Sequence, residues 1–203
     1  MPTRTDKPIR MSAEERREQI LDVTKHLVDA RGFHAVSIEG VARLAGITRP
    51  IVYTHFRDLG GLLEALVERE GARALRQLAE LLPAAIAGGG DRRDVLLGVM
   101  RSYLEAVSTD PVTWRLVLMP PEGAPELLRT EIERGREMAV AQLAEVARTG
   151  LAPGRRPPDP ELTAWTMSAL SDSAARLLLT DPDRWPVERL MDHTAWLLDQ
   201  LAS

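Results

Sequence analysis

The 203 residues include no cysteine, are 44% hydrophobic and 28% charged, and carry a formal net charge of −4. That balance belongs to a soluble globular chain long enough for one or two domains with a sizeable core. The absence of cysteine excludes disulfides, thiolate metal sites and a cysteine nucleophile. No signal-like apolar segment stands near Met1 and no apolar run approaches a membrane span, so the expectation is a cytoplasmic protein with no membrane partner.

The charge is unevenly placed. Through Arg57 there are ten Lys and Arg against seven Asp and Glu, a net of +3, which leaves −7 on the remainder. A mildly basic head on an acidic body keeps the body soluble while the head offers charge to phosphates.

In chain order, residues 1–11 hold Arg4, Lys7 and Arg10 against Asp6, with two prolines and no periodicity. This is a flexible basic arm, either a tail without structure or a segment that orders along DNA. Ser12, with Glu15 three residues on, has the spacing of a capping box, and Ile20, Val23, Leu27 and Val28 continue as an apolar stripe to Ala30. Arg16 and Arg17 stand in the first turn, where a cation opposes the helix dipole. They are either a solvated pair or a pair placed for a phosphate.

The stretch from Ser37 to Phe56, SIEGVARLAGITRPIVYTHF, predicts two short helices joined by a tight turn. Ser37 caps the first, whose apolar side is Val41, Ala42, Leu44 and Ala45. Gly46 supplies the left-handed residue of the turn, and Ile47 plugs the crossing. In the second helix Val52 and Phe56, four apart, make one edge to bury. Pro50, Tyr53 and Thr54 then point away from it, with Arg49 and Ile51 on the flanks.

This stretch resembles the helix-turn-helix of the tetracycline-repressor (TetR) family of bacterial transcription regulators. Arg17, Ile20, Leu21, Leu27, Gly32, Phe33 and Ser37 upstream, and Val41, Ala42, Ala45, Gly46, Ile47, Tyr53 and Phe56 within it, fall in that family's spacing over about the first quarter of the chain. The resemblance implies that Thr48, Arg49, Pro50, Tyr53 and His55 occupy DNA-contact positions, with Tyr53 on phosphate. Thr54 joins them from the helical wheel, and Ser37 and Arg57 complete the candidate set. The family commonly has a phosphate-contacting lysine shortly after the phenylalanine; this chain has Leu59 near that place, and Arg57 is the nearest substitute.

Beyond Phe56, Asp58 caps a long helix expected to end near Leu82, before Pro83 and the Gly88–Gly90 run. Asp91 caps the next, which Asp110-Pro111 stops. A short helix from Pro111 to about Met119 carries Trp114 and Arg115, and a helix from Ala124 to Arg148 precedes a loop rich in Pro, Gly and Arg. Two last helices follow, Asp159 to Thr180 and Pro186 to Leu201. The fold class is therefore all-α, about nine helices. An N-terminal three-helix helix-turn-helix DNA-binding domain (12–57) precedes a C-terminal helical ligand-binding and dimerisation domain (58–203).

Nothing in the chain reads as catalytic or as a metal or cofactor site. His26, His34, His55 and His193 are scattered, the Ser171-Asp172-Ser173 cluster lacks a histidine, and the glycine run lacks a following lysine. The expected function is a ligand-responsive repressor, not an enzyme. It would bind a double-stranded, pseudo-palindromic operator as a homodimer, with half-sites roughly 34–36 Å apart or a multiple of it. The alternative is a helical protein-interaction module whose helix-turn-helix no longer reads DNA. Met100, Tyr103, Trp114, Leu118 and Met119 are the expected wall of a pocket for a small hydrophobic or amphipathic effector. Ala164, Ser168, Ser171 and Ala175 form a stripe of small residues, with Leu190, Thr194, Leu197 and Leu201 beside it, expected to build the dimer interface as a four-helix bundle.

Overall fold

A computed structural model describes residues 11–87, 92–120, 124–148 and 157–202, without the side chains of 81–87, 92, 201 and 202. The basic arm, the Asp91 cap, the glycine run and most of the 150–160 loop lie outside the described residues. Within them are nine α-helices and one short 3-10 turn, Phe33–Ala35, and no strand. The backbone groups into two compact units that divide within the fourth helix, after Leu66.

The first unit holds α1 (Ala13–Arg31), α2 (Ile38–Leu44), α3 (Arg49–His55) and the first turns of α4 (Leu59–Ala87). Ser12 and Glu15 form the capping box: each side chain takes the other's backbone amide, at 3.1 and 2.7 Å. Ile20, Leu21, Leu27 and Val28 are buried along α1, and Val41, Ala42 and Ala45 along α2. Leu44, expected on that apolar side, is instead 57% exposed. In a two-turn helix only positions near one line reach the core, and Leu44 lies between Val41 and Ala45 on the far side. Gly46 turns the chain with φ +66°, a conformation that an L side chain adopts only under strain.

The second unit holds the rest of α4 with α5 (Arg92–Thr109), α6 (Pro111–Leu118), α7 (Glu126–Arg148), α8 (Pro160–Thr180) and α9 (Val187–Ala202). The helix α4 passes through Pro83, where the sequence predicted a stop. A proline deletes one intrahelical hydrogen bond and favours a bend, which a 29-residue helix has enough other turns to absorb. The main core gathers Ala74 of α4, Tyr103, Leu104 and Val107 of α5, Trp114 and Leu118 of α6, and Ala175, Leu178, Leu190 and Met191 of α8 and α9. Its packing is dominated by α8, laid along α7 and touching α5 and α6, and by α9 against α5. Gly135 permits α7 to approach α4: a Cβ there would come within 2.8 Å of Leu75 Cδ2.

The small-residue stripe is used inside the subunit. Ala164 packs with Val140 and Ala144 of α7, and Ala164 and Ala175 have no exposed surface to offer a second chain. Ser168 is buried as well, and Leu190, Thr194, Leu197 and Ser171 line a cavity. The side chain of Leu201 lies outside the description. Small residues allow some helix to come close, and here the chain's own α7 takes that place.

Candidate DNA-binding helix and ligand cavity

Two turns long, α3 is held on one edge only. Val52 has no exposed surface and Phe56, its C-cap, is 4% exposed. Thr48, Arg49, Pro50, Ile51, Tyr53 and Thr54 all face outward, and His55 is half-buried. Pro50 stands in the first turn, where its missing N–H costs nothing. Thr48 is the N-cap but makes no side-chain cap bond, and the Thr54 hydroxyl donates to Pro50 O at 2.9 Å. Ser37 is exposed and its Oγ accepts from the amide of Gly40 at 3.1 Å, so its hydroxyl serves α2 as a cap. The structure thus brings Thr48, Arg49, Pro50, Tyr53 and Thr54 onto one outer face and places Ser37 at the start of the neighbouring helix.

Arg57 is almost wholly exposed, its Nε 3.2 Å from Asp58 Oδ2. Asp58 caps α4 through the Gly61 amide at 2.8 Å. That hydrogen bond, and then Arg57, hold the Asp58 carboxyl below its ordinary range.

Arg17 has a role that sequence reasoning missed. Its guanidinium lies 4.5 Å over the Phe56 ring and donates to the carbonyl of His55 at 3.4 Å. A cation that opposes its own helix dipole is thereby set at the C-terminus of α3, where the dipole attracts it. Gln19 ties the same surface of α1 to the turn by donating to Ala45 O at 3.2 Å, and Arg16 donates to Gln19. The only signal in the sequence was the mismatch between Arg17's charge and its position.

The second unit contains a cavity of about 390 Å³, lined mainly by aliphatic and aromatic side chains from α4 to α9. Of the five residues proposed from the sequence, Met100, Tyr103, Trp114 and Leu118 lie in its wall. Met119 does not. It is the C-cap of α6, 42% exposed, where the chain leaves the helix towards Pro120. Trp114 is 1% exposed, meets Tyr103 edge-on with ring centroids 5.2 Å apart, and donates its Nε1–H to Gln77 of α4 at 3.0 Å.

One part of the wall is polar. The Tyr103 hydroxyl donates to Asp172 Oδ1 at 3.2 Å, and Arg136 donates to Asp172 Oδ2 at 3.1 Å. Burial, and then the Asp172 charge, push the Tyr103 phenol well above its ordinary value of 10.0, so it stays a donor. Arg101 is turned to the outside, in a bidentate pair with Glu188. Close by, α6 is also tied to α4 by a polar group. The hydroxyl of Thr113, itself fully buried, bonds to the buried Glu70 and lies 2.9 Å from Asp110, which pairs with Arg73 at 2.7 Å. Among the described residues no cluster of His, Asp and Glu could hold a metal, and no helix is long and apolar enough to cross a membrane.

A two-turn helix set on a tight turn with one outward polar face has the geometry of a helix-turn-helix, and the second unit holds a largely apolar cavity. Residues 20–66 match the model of the bacterial regulatory proteins of the tetR family. The whole fold is similar to a TetR-like transcriptional regulator from Rhodococcus sp. RHA1, at TM-score 0.74 and 21% identity over 94% of this chain and 97% of that one. It is also similar to a transcriptional regulator from Saccharomonospora viridis in complex with choline, at TM-score 0.69 and 24% identity over 92% and 96%. A third similar structure is the regulator FadR from Bacillus subtilis in complex with stearoyl-CoA, at TM-score 0.67 and 16% identity over 89% and 96%.

Proposed function

We propose that this regulator is a repressor that binds a two-fold operator as a homodimer through α3 and leaves it when a small apolar or amphipathic molecule fills the cavity of the second unit. The observation that carries the reading is the arrangement of α3: Val52 and Phe56 fix it from behind while Thr48, Arg49, Pro50, Tyr53 and Thr54 stand free to meet a groove. Ser37, His55 and Arg57 flank that face. The cavity supports the response to a ligand, since its volume falls within the roughly 300–1,000 Å³ usual for small-molecule sites. Two structures of the same fold hold an acyl-CoA and choline respectively, ligands so unlike each other that neither chemistry carries over to this chain.

For the dimer, the outer faces of α8 and α9 replace the small-residue stripe. Leu162 and Trp165 on α8 and Trp196 on α9 are 62%, 42% and 55% exposed and lie outside the cavity wall, so they offer large apolar side chains for a second chain to cover. A second copy applying the same surface would bury it by two-fold symmetry.

The test is a gel shift on the DNA flanking the gene at two salt concentrations, followed by footprinting. A salt-sensitive shift with a two-fold footprint is the expected result. No specific complex at low salt would leave the chain as a helical protein-interaction module.

A further inference from the structure

We propose that the cavity is built for an apolar molecule with a positively charged head, an alkyl- or aryl-ammonium, and that Glu131 is its counter-charge. This rests on the reading of the cavity as the effector site and names the chemical class of its occupant.

Three formally charged side chains line the cavity: Glu131, Arg136 and Asp172. Two of them neutralise each other, Arg136 pairing with Asp172 at 3.1 Å while Tyr103 donates to the other carboxylate oxygen at 3.2 Å. Glu131 is the remainder. It is half-buried on α7, its Cβ 3.8 Å from where a side chain on Gly71 of α4 would begin, and it has no ion pair among the described residues. Of the three charged side chains in the lining, Glu131 is thus the one whose charge no other lining residue neutralises.

A carboxylate in such a place is stabilised by an occupant that brings a cation to it. An anionic head would instead meet Glu131 and Asp172, and the one guanidinium in the wall is already engaged. The rings of Tyr103 and Trp114 in the same wall add a surface whose quadrupole attracts cations. The rest of the lining, with Leu75, Met100 and Leu118, suits an alkyl or aryl body.

The test is calorimetric titration of the full chain with decyltrimethylammonium, decanol and decanoate, each below its micellar concentration, so that only the head differs. The ammonium should bind about tenfold more tightly than the alcohol, through its ion pair with Glu131 and the cation–π attraction of the two rings, and the carboxylate most weakly. Glu131→Gln should abolish the ammonium's advantage over decanol, with circular dichroism and the decanol titration showing that the variant still folds around its cavity. Decanoate binding most tightly, or an ammonium advantage that survives in Glu131→Gln, would overturn the inference and leave the cavity as the effector site. If none of the three binds, the effector-site reading falls along with it.

Discussion

Trp114 in the cavity wall donates its indole N–H to Gln77 on α4 at 3.0 Å, which makes one buried side chain both a lining of the cavity and a tie to the helix that continues into the DNA-binding unit. An occupant that displaces Trp114 has to act on α4 through this bond and through the Thr113–Glu70 link made by the preceding residue of α6. Coupling of this kind is reciprocal: a ligand that lowers operator affinity about a hundredfold must itself bind the operator complex about a hundredfold more weakly, roughly 2.7 kcal/mol. Gln77→Ala should leave ligand affinity for the free protein nearly unchanged and reduce the ligand's effect on operator affinity. Titrating ligand against the operator complex checks this, with Trp114→Phe to locate the fluorescence change. A variant that is still fully released by ligand would remove Gln77 from the route.

Arg17 is expected to affect DNA binding through the placement of α3. Arg17→Ala removes both the cation over Phe56 and the hydrogen bond to His55 O at the end of α3. The expected loss of stability in the DNA-binding unit is about 0.5–2 kcal/mol, the range of a helix-terminal cation and a cation–π contact together. Operator and non-operator DNA should be weakened alike. Arg17→Lys should recover little, because an ammonium lacks the planar surface that stacks on Phe56.

Within α3, Arg49 and Tyr53 are separable. If Arg49 reads a base edge, Arg49→Ala should cost about 1–3 kcal/mol on the operator and much less on unrelated DNA. Tyr53→Phe, which removes only a hydroxyl from an exposed ring, should weaken all sequences about equally. Competition gel shifts with operator and scrambled duplexes distinguish the two. Equal behaviour of both variants on both duplexes would mean that α3 does not read sequence.

The helix-turn-helix was legible in the sequence because its constraints are local: a cap at Ser37, a left-handed glycine at 46 and two apolar residues four apart fix the turn and the buried edge. The order and ends of most helices followed from caps and Pro or Gly breaks for the same reason. What could not be read was which partner a face would meet. The stripe of Ala164, Ser168 and Ala175 announces a close helix, but periodicity carries no information on whether that helix belongs to the same chain. Similarly, Arg136 and Asp172 lie 36 residues apart and their pairing in the cavity wall depends on how α7 and α8 pack. Four of the five residues expected around the cavity lie in its wall because α5 and α6 are consecutive, whereas the contributions of α4, α7 and α9 are set by tertiary packing.

Acid should loosen the start of α4 through Asp58. Its folded pKa is lowered, first by the Gly61 amide and then by Arg57, so its contribution to stability is present above the unfolded value of about 3.8 and is lost as the pH falls through the lower folded value. Above about pH 5 no change is expected from this group. Asp58→Ala should lower the melting temperature at pH 7 and flatten its acid dependence. An unchanged acid limb in the variant would show that the cap does not govern it.

The outer face of α8 makes a prediction that separates two interfaces. Leu162 and Trp165 are 62% and 42% exposed and lie outside the cavity wall, whereas Leu197 faces the cavity and Ala175 is fully buried. Trp165→Glu would place a charge in the proposed two-fold contact without disturbing the subunit's core. The variant should sediment as a monomer at micromolar concentration, with helical circular dichroism intact and weaker operator binding, since a single α3 reaches only one half-site. Leu197→Glu should behave differently, lowering the melting temperature and disturbing the cavity, because its charge would enter the subunit's interior. If Trp165→Glu and Leu162→Glu both remain dimeric while Leu197→Glu dissociates without unfolding, the contact is made by the inner stripe after all, which would require α8 and α9 to repack when two chains meet.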